Sequence, residues 1–328
     1  MLQAIYEHRG PVPQDVIDAV ERETPTPGAG EVLMEVVAAP INPSDVLTLT
    51  GEYGMLPPLP AVGGNEGVGR VVQCGEGVDG FSRGQTVLLP VGCGSWATHV
   101  LAPARKLVPL PDDADPEQLA MMTVNPPTAS LLMSEFVDLQ PGEWLIQNAA
   151  NSGVGGYLIT LAKLRGLKTV NVVRRASAVT PLQEQGAEIV LVDGPDLAER
   201  VAEASGHAPV RLGIDAVGGS ATDHLASALS DDATLVNYGM MSGDPCMVAP
   251  RHLVFRNLSV KGFWLARWFQ HATREQQQGL YGELAGMIAS GQLSARVHAR
   301  FDVADIKAAV AEAASGERTG KVLVTPAV

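Results

Sequence analysis

The residues with the clearest chemical pattern lie between Trp144 and Arg175, in the run WLIQNAANSGVGGYLITLAKLRGLKTVNVVRR. The run starts with a short apolar segment, which is typical of a parallel strand covered on both faces. A turn with three glycines follows, and apolar residues at helical spacing begin directly after it. Free N–H groups and the positive dipole end of that helix favour an anion, so we predict a phosphate-binding turn here.

Two further features indicate which phosphate compound this run suits. Ala150 and Ser152 occupy the first two glycine positions of the G-x-G-x-x-G dinucleotide pattern, so the turn alone is a weak signal. Arg174 stands 19 residues after Gly155, where an NAD site has an acidic residue for the ribose 2′-hydroxyl. A guanidinium there suits a 2′-phosphate, which favours NADPH. The alternative is that Arg174 and Arg175 are solvent-exposed residues at a strand end.

The elements that must position this run follow from the alternation along the chain. Up to about Pro116, short apolar runs alternate with glycine and proline turns, which indicates a compact, mostly antiparallel β unit. Six apolar segments then alternate with helical patterns, as in a doubly wound nucleotide-binding sheet. A helical stretch from Thr273 to Ser290, the strand-like ARVHARF, a helix from Val303 to Ala314 and the strand-like TGKVLVTP end the chain. We expect the last strand to return to the β unit.

Composition excludes several classes of function. The 328 residues exceed a single core, and 36 acidic against 23 basic residues give a net charge of −13. This charge argues against nucleic acid and against an anionic membrane surface as partners. The three cysteines have no C-x-x-C spacing, which fits a reducing compartment. With neither an apolar leader nor an 18-residue apolar run, the sequence predicts a cytoplasmic protein.

Other catalytic patterns find little support in the sequence. The seven histidines form no H-E-x-x-H pair, and no G-x-S-x-G turn is present. Asp45 and Glu66 could act as a general base and acid. We instead expect Asp45 to cap a helix, and Glu66 to meet backbone groups or an arginine.

The order of β unit, nucleotide-binding domain and return to the β unit resembles the medium-chain dehydrogenase/reductase superfamily. GEGVDGFSRGQTV and NPSD look like recurrent segments of that superfamily. Its zinc-using members hold the catalytic metal with Cys and His where this chain has Asn42 and Asn65, and they carry a four-cysteine lobe. The chain more closely resembles the mitochondrial-type 2-enoyl thioester reductases, through INPSDVLTLTGEYG, LPAVGGNEGVG, TVNPPTASLLM, IQNAANSGVGG, NVVRR, NYGMM and VKGFWLARW.

This resemblance implies an α/β fold with two domains and no metal. The first would be a GroES-like, mostly antiparallel β domain of residues 1–117 and 269–328. The second would be a Rossmann domain of residues 118–268, with a six-stranded doubly wound parallel sheet that binds NADPH. Relatives join such sheets edge to edge, so the segment LSVKGFW makes a homodimer the expected assembly.

The resemblance also assigns residues to roles. Tyr53 matches the tyrosine that donates a proton, and Trp264 lies in the segment that frames the nicotinamide and the substrate. A positioned phenol suits the reaction, because hydride addition to a polarised C=C bond leaves an enolate that needs a proton. The residues assigned to NADPH are Asn42, Asn125, Asn151, Ser152, Gly153, Val154, Arg174, Arg175, Ala176, Tyr238, Gly239, Met240, Met241, Phe263, Trp264, Leu265 and Lys321.

Several of these residues have a simpler interpretation. Tyr53 could be a loop aromatic whose hydroxyl merely finds a partner, and Phe263 and Trp264 could be core aromatics. Met240 and Met241 could fill gaps in a core. Asn125 could begin a turn, and Lys321 could be a solvated charge at a strand edge.

Three functions are compatible with these residues and with the resemblance. The first is NADPH-dependent reduction of an activated C=C bond in a small-molecule substrate, with a trans-2-enoyl thioester of CoA or acyl carrier protein as the implied substrate. The second is a quinone oxidoreductase, or a haloacrylate or enone reductase, with the same hydride step. The third is a non-catalytic NADPH-binding structural or sensor protein, which would need Arg174 but not Tyr53.

Overall fold

A computed structural model describes residues 1–316 and 318–326. The chain divides into two compact units. The first contains Met1–Val124 and the described residues from Tyr281 onward, and the second is Asn125–Leu280. The predicted domain limits at residues 117 and 268 therefore lie inside the first and the second unit, respectively. No described helix has both the length and the apolar character that a membrane crossing requires.

The first unit is built on two sheets. A three-stranded sheet has the order β2-β1-β4, and a larger sheet has the order β15-β16-β3-β5-β6-β8, with β7 also paired to β3. All pairs are antiparallel except β15 with β16. The strands are β1 (Leu2–Tyr6), β2 (Ile17–Glu21), β3 (Glu31–Pro40), β4 (Ala61–Val62), β5 (Val68–Cys74), β6 (Thr86–Leu88), β7 (His99–Pro103), β8 (Val108–Pro109), β15 (Val297–Phe301) and β16 (Lys321–Val324).

The final strand returns to this unit, as the sequence predicts. In β16, Leu323 and Val324 pair with Pro40 and Ala39 of β3. The four residues of β16 are buried, and Val322 and Val324 belong to the hydrophobic core of this unit. The sheets are accompanied by helices α1 (Pro43–Thr50), α2 (Pro116–Ala120) and α11 (Ile306–Ala314).

The second unit contains one parallel sheet of six strands in the order β11-β10-β9-β12-β13-β14. This is the doubly wound order, and it confirms the predicted Rossmann sheet. The order reverses between β9 and β12, which is where such sheets bind ligands at the carboxyl ends of their strands. The strands are β9 (Trp144–Gln147), β10 (Lys168–Val173), β11 (Ile189–Val192), β12 (Val210–Asp215), β13 (Thr234–Asn237) and β14 (Ser259–Gly262).

Helices alternate with these strands, as the periodicity predicts. Continuous apolar segments form the central strands because both faces of a parallel sheet are covered. The boundary between the two units falls inside helix α10, between Leu280 and Tyr281. The helices are α3 (Asn125–Ser134), α4 (Gly153–Leu164), α5 (Val179–Glu184), α6 (Leu197–Ser205), α7 (Gly219–Ala228), α8 (Pro250–Val254), α9 (Leu265–His271) and α10 (Arg274–Ala289).

Candidate functional site

The phosphate turn of the second unit lies between β9 and α4. Ser152 is the N-cap of α4, and its Oγ accepts a hydrogen bond of 3.1 Å from the Gly155 N–H. A Cβ at Gly155 would lie 2.4 Å from the Ala150 carbonyl oxygen, so only glycine fits there. The amides at the start of α4 therefore remain directed at the turn, next to exposed Asn151. This geometry suits the diphosphate of a dinucleotide.

The two arginines follow the strand next to the turn. Arg174 comes directly after β10 and is exposed, whereas Arg175 is partly buried and precedes a short 3-10 helix that begins at Ala176. Because β9 and β10 are parallel neighbours, the turn and the arginines lie at the same edge of the sheet. That arrangement fits a nucleotide with an additional phosphate on its ribose.

A buried carboxylate that no sequence pattern indicated supports this edge. Asp215 ends β12, is fully buried and accepts five hydrogen bonds of 2.6–3.1 Å. Its donors come from two neighbouring strand ends, from the following loop and from α7: they are Asn148, Val217, Gly218, Thr222 and Asn237. Asp215 thus joins the ends of β9, β12 and β13 at the point where the sheet order reverses.

The loop after β13 is attached to the same centre. Tyr238 donates its N–H to the Asp215 carbonyl at 2.9 Å, and its side chain is hydrogen-bonded to Ser152. Burial raises the pKa of Tyr238, and the Ser152 contact partly opposes that rise. The Gly239 carbonyl accepts from the Asn237 side chain, also at 2.9 Å. Ser152 and Tyr238, both assigned to the cofactor from the sequence, are therefore in direct contact.

The remaining assigned residues of this unit differ in burial. Asn125 is buried at the first position of α3. Met240 and Met241 are each more than half exposed, so neither fills a gap in the core. Phe263 packs edge-on against Phe136, with ring centroids 6.1 Å apart.

The segment after β14 leads from this aromatic pair to the surface. Trp264 is 36% exposed at the N-cap of α9, and Leu265 is the first residue of that helix. Trp264 is therefore not a core aromatic, and its predicted role near the nicotinamide remains a prediction.

In the first unit, polar side chains form a group that we call the Glu66 cluster, which is buried except for half-buried Asn65: Asn42, Asp45, Asn65, Glu66 and Lys321. Asn42 donates to Glu66 Oε1 at 2.6 Å and accepts from Lys321 Nζ. Asn65 donates to Asp45 Oδ1, also at 2.6 Å. Lys321 is only 5% exposed, so it is not a solvated edge charge. Both Asn42 and Lys321 are thus hydrogen-bonded within this cluster. The cofactor roles assigned to them from the sequence remain predictions.

The Glu66 cluster also binds backbone. Glu66 Oε2 accepts from the N–H groups of Thr123 and Val124 at 3.0 Å each, as expected from its sequence context. Asp45 Oδ2 accepts from the Asn42 N–H at 2.7 Å in a capping box, which confirms the predicted capping role. The polar groups of the cluster therefore satisfy one another and the adjoining main chain.

Burial dominates the titration of the cluster. It raises the pKa of Asp45 to about 6, although hydrogen bonds from Asn42 and Asn65 and the charge of Lys321 oppose the rise. It also raises the pKa of Glu66 and lowers that of Lys321, while the attraction between these two groups opposes both shifts. No three His, Cys, Asp or Glu side chains of residues 1–316 and 318–326 are grouped to hold a metal ion.

Tyr53 is attached to the helix that this cluster caps. Helix α1 begins after Asn42 and ends at Gly51, which has a φ of 86° that favours glycine. The N–H groups of Glu52 and Tyr53 both donate to the Leu47 carbonyl, at 2.9 and 3.1 Å. Tyr53 is partly exposed. Its main chain is thus fixed to α1, while part of its side chain is open to solvent.

Known families and relatives match both units. The model of the alcohol dehydrogenase GroES-like domain matches residues 28–112, and that of zinc-binding dehydrogenase matches residues 153–278. The mitochondrial enoyl-[acyl-carrier-protein] reductase of Homo sapiens is 35% identical over 312 residues, which are 93% of this chain and 83% of the human protein.

Two solved structures resemble the whole chain. A putative NADPH:quinone reductase from Bacillus thuringiensis has a TM-score of 0.89 and 29% identity, with 99% of both chains covered. The complex of Etr1p with NADP and crotonyl-CoA has a TM-score of 0.88 and 25% identity, again with 99% of both chains covered.

Proposed function

We propose that this chain, which belongs to the medium-chain dehydrogenase/reductase superfamily and within it to the enoyl reductase and quinone oxidoreductase-like enzymes, reduces a 2-enoyl thioester with NADPH. The observation that carries the proposal is the phosphate turn at Ser152 and Gly153, with Arg174 exposed at the end of the adjacent strand. A non-phosphorylated ribose would give this guanidinium no anionic partner.

The residues of the second unit fit NADPH, and each has a distinct task. Asn151, Ser152, Gly153 and Val154 would hold the diphosphate at the helix start. Arg174, Arg175 and Ala176 would surround the 2′-phosphate. NADPH supplies a hydride when bound. Residues near the nicotinamide would be Asn125, Tyr238, Gly239, Met240, Met241, Phe263, Trp264 and Leu265. Asn42 and Lys321 of the first unit are the remaining residues that the sequence assigns to the cofactor.

Tyr53 is the proton donor in this proposal. Hydride addition to the β-carbon of the thioester moves the C=C electron pair toward the carbonyl, which leaves an enolate. The Tyr53 hydroxyl then gives its proton to the α-carbon, and the phenolate regains a proton from solvent. Attachment of Tyr53 to α1 through Leu47 supports this role, because a proton donor must be held at a constant position.

A second candidate function is NADPH-dependent reduction of quinones or free enones. The solved structure from Bacillus thuringiensis, described as a putative NADPH:quinone reductase, favours it at 29% identity. The thioester is preferred because the human relative is more similar in sequence and covers nearly the whole chain.

Steady-state turnover distinguishes these functions. The wild-type chain should oxidise NADPH with crotonyl-CoA, and faster with NADPH than with NADH. Turnover of quinones or free enones alone would overturn the thioester assignment in favour of the second candidate. Tight NADPH binding without turnover of any acceptor would instead indicate a non-catalytic binding protein.

We also propose a homodimer and a cytoplasmic location. Strand β14 is exposed throughout at the edge of its sheet, and Val260 within it is an exposed apolar residue, as are Val254 and Phe255 a few residues before it. Light scattering should give twice 34.4 kDa for the wild type and a lower mass for Val260→Lys.

The three unpaired cysteines suit a reducing compartment, which supports the proposed cytoplasmic location. Fractionation of cells, followed by detection of the chain, checks the location.

A further inference from the structure

We propose that Arg9 is a positioning residue for the Tyr53 loop, which we define as residues 51–60. This inference depends on the proposed function, because the loop carries the proposed proton donor. Arg9 lies three residues beyond the end of β1, far from Tyr53 in sequence, and it belongs to no motif of the chain. Its contacts nevertheless reach residues on both sides of Tyr53.

The first contact is at the start of the loop. A Cβ placed on Gly51 would lie 3.3 Å from Arg9 Cδ and 3.6 Å from Arg9 Cβ, so the arginine stem runs directly over this glycine. The neighbouring Gly10 N–H donates to the Leu49 carbonyl at 3.2 Å, which joins the same segment to the last turn of α1. The stem therefore covers the point where α1 ends and the loop begins.

The second contact is beyond Tyr53. Arg9 Nη2 donates to the Pro57 carbonyl at 2.5 Å. Pro57 has no N–H of its own to pair, and the loop around it is exposed, with Met55 57% and Leu56 39% accessible. Since little apolar area holds this half of the loop, the guanidinium contact is a principal restraint on it.

The guanidinium is itself held in place. Tyr6, which is almost completely buried in β1, is hydrogen-bonded to the Arg9 side chain. Arg9 Nε is buried and has no hydrogen-bond partner among the described residues. A buried polar atom without a hydrogen-bond partner is costly, so this position of the guanidinium is not the one that pairs all of its N–H donors. Its geometry is explained by the bridge from Tyr6 in β1 to Pro57 in the loop.

Arg9 acts through the loop and needs no contact with substrate. Without its side chain, the first half of the loop would keep the hydrogen bonds from Glu52 and Tyr53 to Leu47. The second half would lose the bond from Arg9 to Pro57 and would be held only where β4 pairs with β1 after the loop. The Tyr53 hydroxyl would then sample more positions. Misplacement of a reacting group by about 1 Å can cost up to about a hundredfold in rate.

The test compares Arg9→Met with Arg9→Lys in the full chain. Arg9→Met keeps an apolar stem but removes the head, so we expect kcat for crotonyl-CoA to fall on the order of tenfold. The KM for NADPH should stay within about twofold, because the residues proposed to bind its phosphates are intact. Arg9→Lys should recover part of kcat, because it keeps a charged donor but not the planar fork. Arg22→Met is the matched control, since Arg22 also donates to a backbone carbonyl, that of Glu21, but on the surface.

Hydrogen exchange of the amides at residues 54–56 and 59 gives a readout that does not depend on activity, and the amides of Glu52 and Tyr53, which keep their bonds to Leu47, serve as the internal reference. Faster exchange at residues 54–56 and 59 in Arg9→Met, but not in Arg22→Met, is the expected result. Unchanged exchange, or faster exchange with wild-type kcat, would overturn the role of Arg9. If Tyr53→Phe proves fully active while Arg9→Met still loosens the loop, the proposed proton donor fails and the positioning of the loop stands.

Discussion

The polar residues of the two units are arranged in opposite ways. In the first unit, the Glu66 cluster is buried, and its members bind one another and the main chain. In the second unit, Asn151 before α4, Arg174 and Met240 are open to solvent at the carboxyl edge of the sheet. A closed polar group stabilises the chain around it, whereas an open one with free donors can bind a ligand.

The open edge nevertheless depends on a closed centre of its own. Asp215 accepts five hydrogen bonds beneath the phosphate turn and the Tyr238 loop, so the exposed groups stand on a fully paired support. Tyr53 has the corresponding position in the first unit, at the far end of the helix that the Glu66 cluster caps. In both units, the residues proposed to act therefore follow segments that are held by hydrogen bonds to a buried carboxylate.

The largest expected effect is that of Tyr53→Phe. Loss of a general acid costs about 10²–10⁴ in rate, so kcat for crotonyl-CoA should fall by at least about a hundredfold. NADPH affinity, measured by quenching of protein fluorescence, should not change. Glu52→Gln, an exposed neighbour in the same loop, is the matched control and should retain wild-type kcat. Equal activity of Tyr53→Phe and wild type would remove Tyr53 from the reaction.

The next effect concerns stability and tests the closed cluster. Glu66→Ala removes the acceptor of the Asn42 amide and of the N–H groups of Thr123 and Val124, and it leaves Lys321 with the charge of Asp45 but without that of Glu66. We expect a loss of about 3–5 kcal/mol in the free energy of unfolding by urea. Glu31→Ala, which removes a carboxylate that accepts from the Gly28 N–H on an exposed turn, should cost less than about 1 kcal/mol.

A double-mutant cycle shows whether Lys321 is the charge partner of Glu66. If the two charges depend on each other, Glu66→Ala with Lys321→Met should cost clearly less than the sum of the two single changes. Additive costs would contradict the closed arrangement of the cluster.

A smaller effect is expected at the open edge. Arg174→Asp should raise the KM for NADPH by about 10–100-fold, since a hydrogen bond to a charged group contributes about 1.5–3 kcal/mol. The KM for NADH should stay the same or improve. Lys163→Asp, at the other end of α4, makes the same change of charge and controls for general repulsion. If the KM for NADPH rises equally in both variants, the effect is one of net charge and Arg174 has no specific role.

The smallest expected effect is a change in how the free energy of unfolding depends on pH. The pKa of Asp45 rises from 3.8 to about 6 on folding, so the folded chain binds this proton more tightly than the unfolded chain. Its contribution to stability is therefore complete below about pH 3.8 and is lost as the pH rises to about 6. Asp45→Asn has no carboxyl group at this position. The stability of the variant minus that of wild type should therefore increase from pH 4 to pH 6, and parallel profiles would show that Asp45 does not titrate in this range.

The sequence was sufficient for features that depend on local patterns. Alternation of apolar segments and helices predicted the six parallel strands, and the spacing from Gly155 to Arg174 placed the arginine after the second of them. The capping role of Asp45 was also local, because its partner Asn42 is three residues away. Such signals repeat with the period of a helix or strand, or lie within one turn.

Features that depend on distant partners were missed. Asn42 meets Lys321, 279 residues away, and Arg9 meets Pro57, 48 residues away. No local period indicates such pairs, because the fold brings them together. The same reason applies to Asp215, because its residue type does not indicate that three strand ends and a loop meet on one carboxylate.

The most direct measurement follows the two hydrogens that the reaction adds. Crotonyl-CoA is reduced by the wild-type chain with NADPH deuterated in the transferred C4 position, in ordinary water, and the butyryl-CoA product is analysed by mass spectrometry and NMR. We predict one deuterium at the β-carbon and hydrogen from solvent at the α-carbon, with slow formation of the same product by Tyr53→Phe. Absence of labelled butyryl-CoA, together with oxidation of the same NADPH by a quinone, would contradict the assignment of this chain as an enoyl thioester reductase.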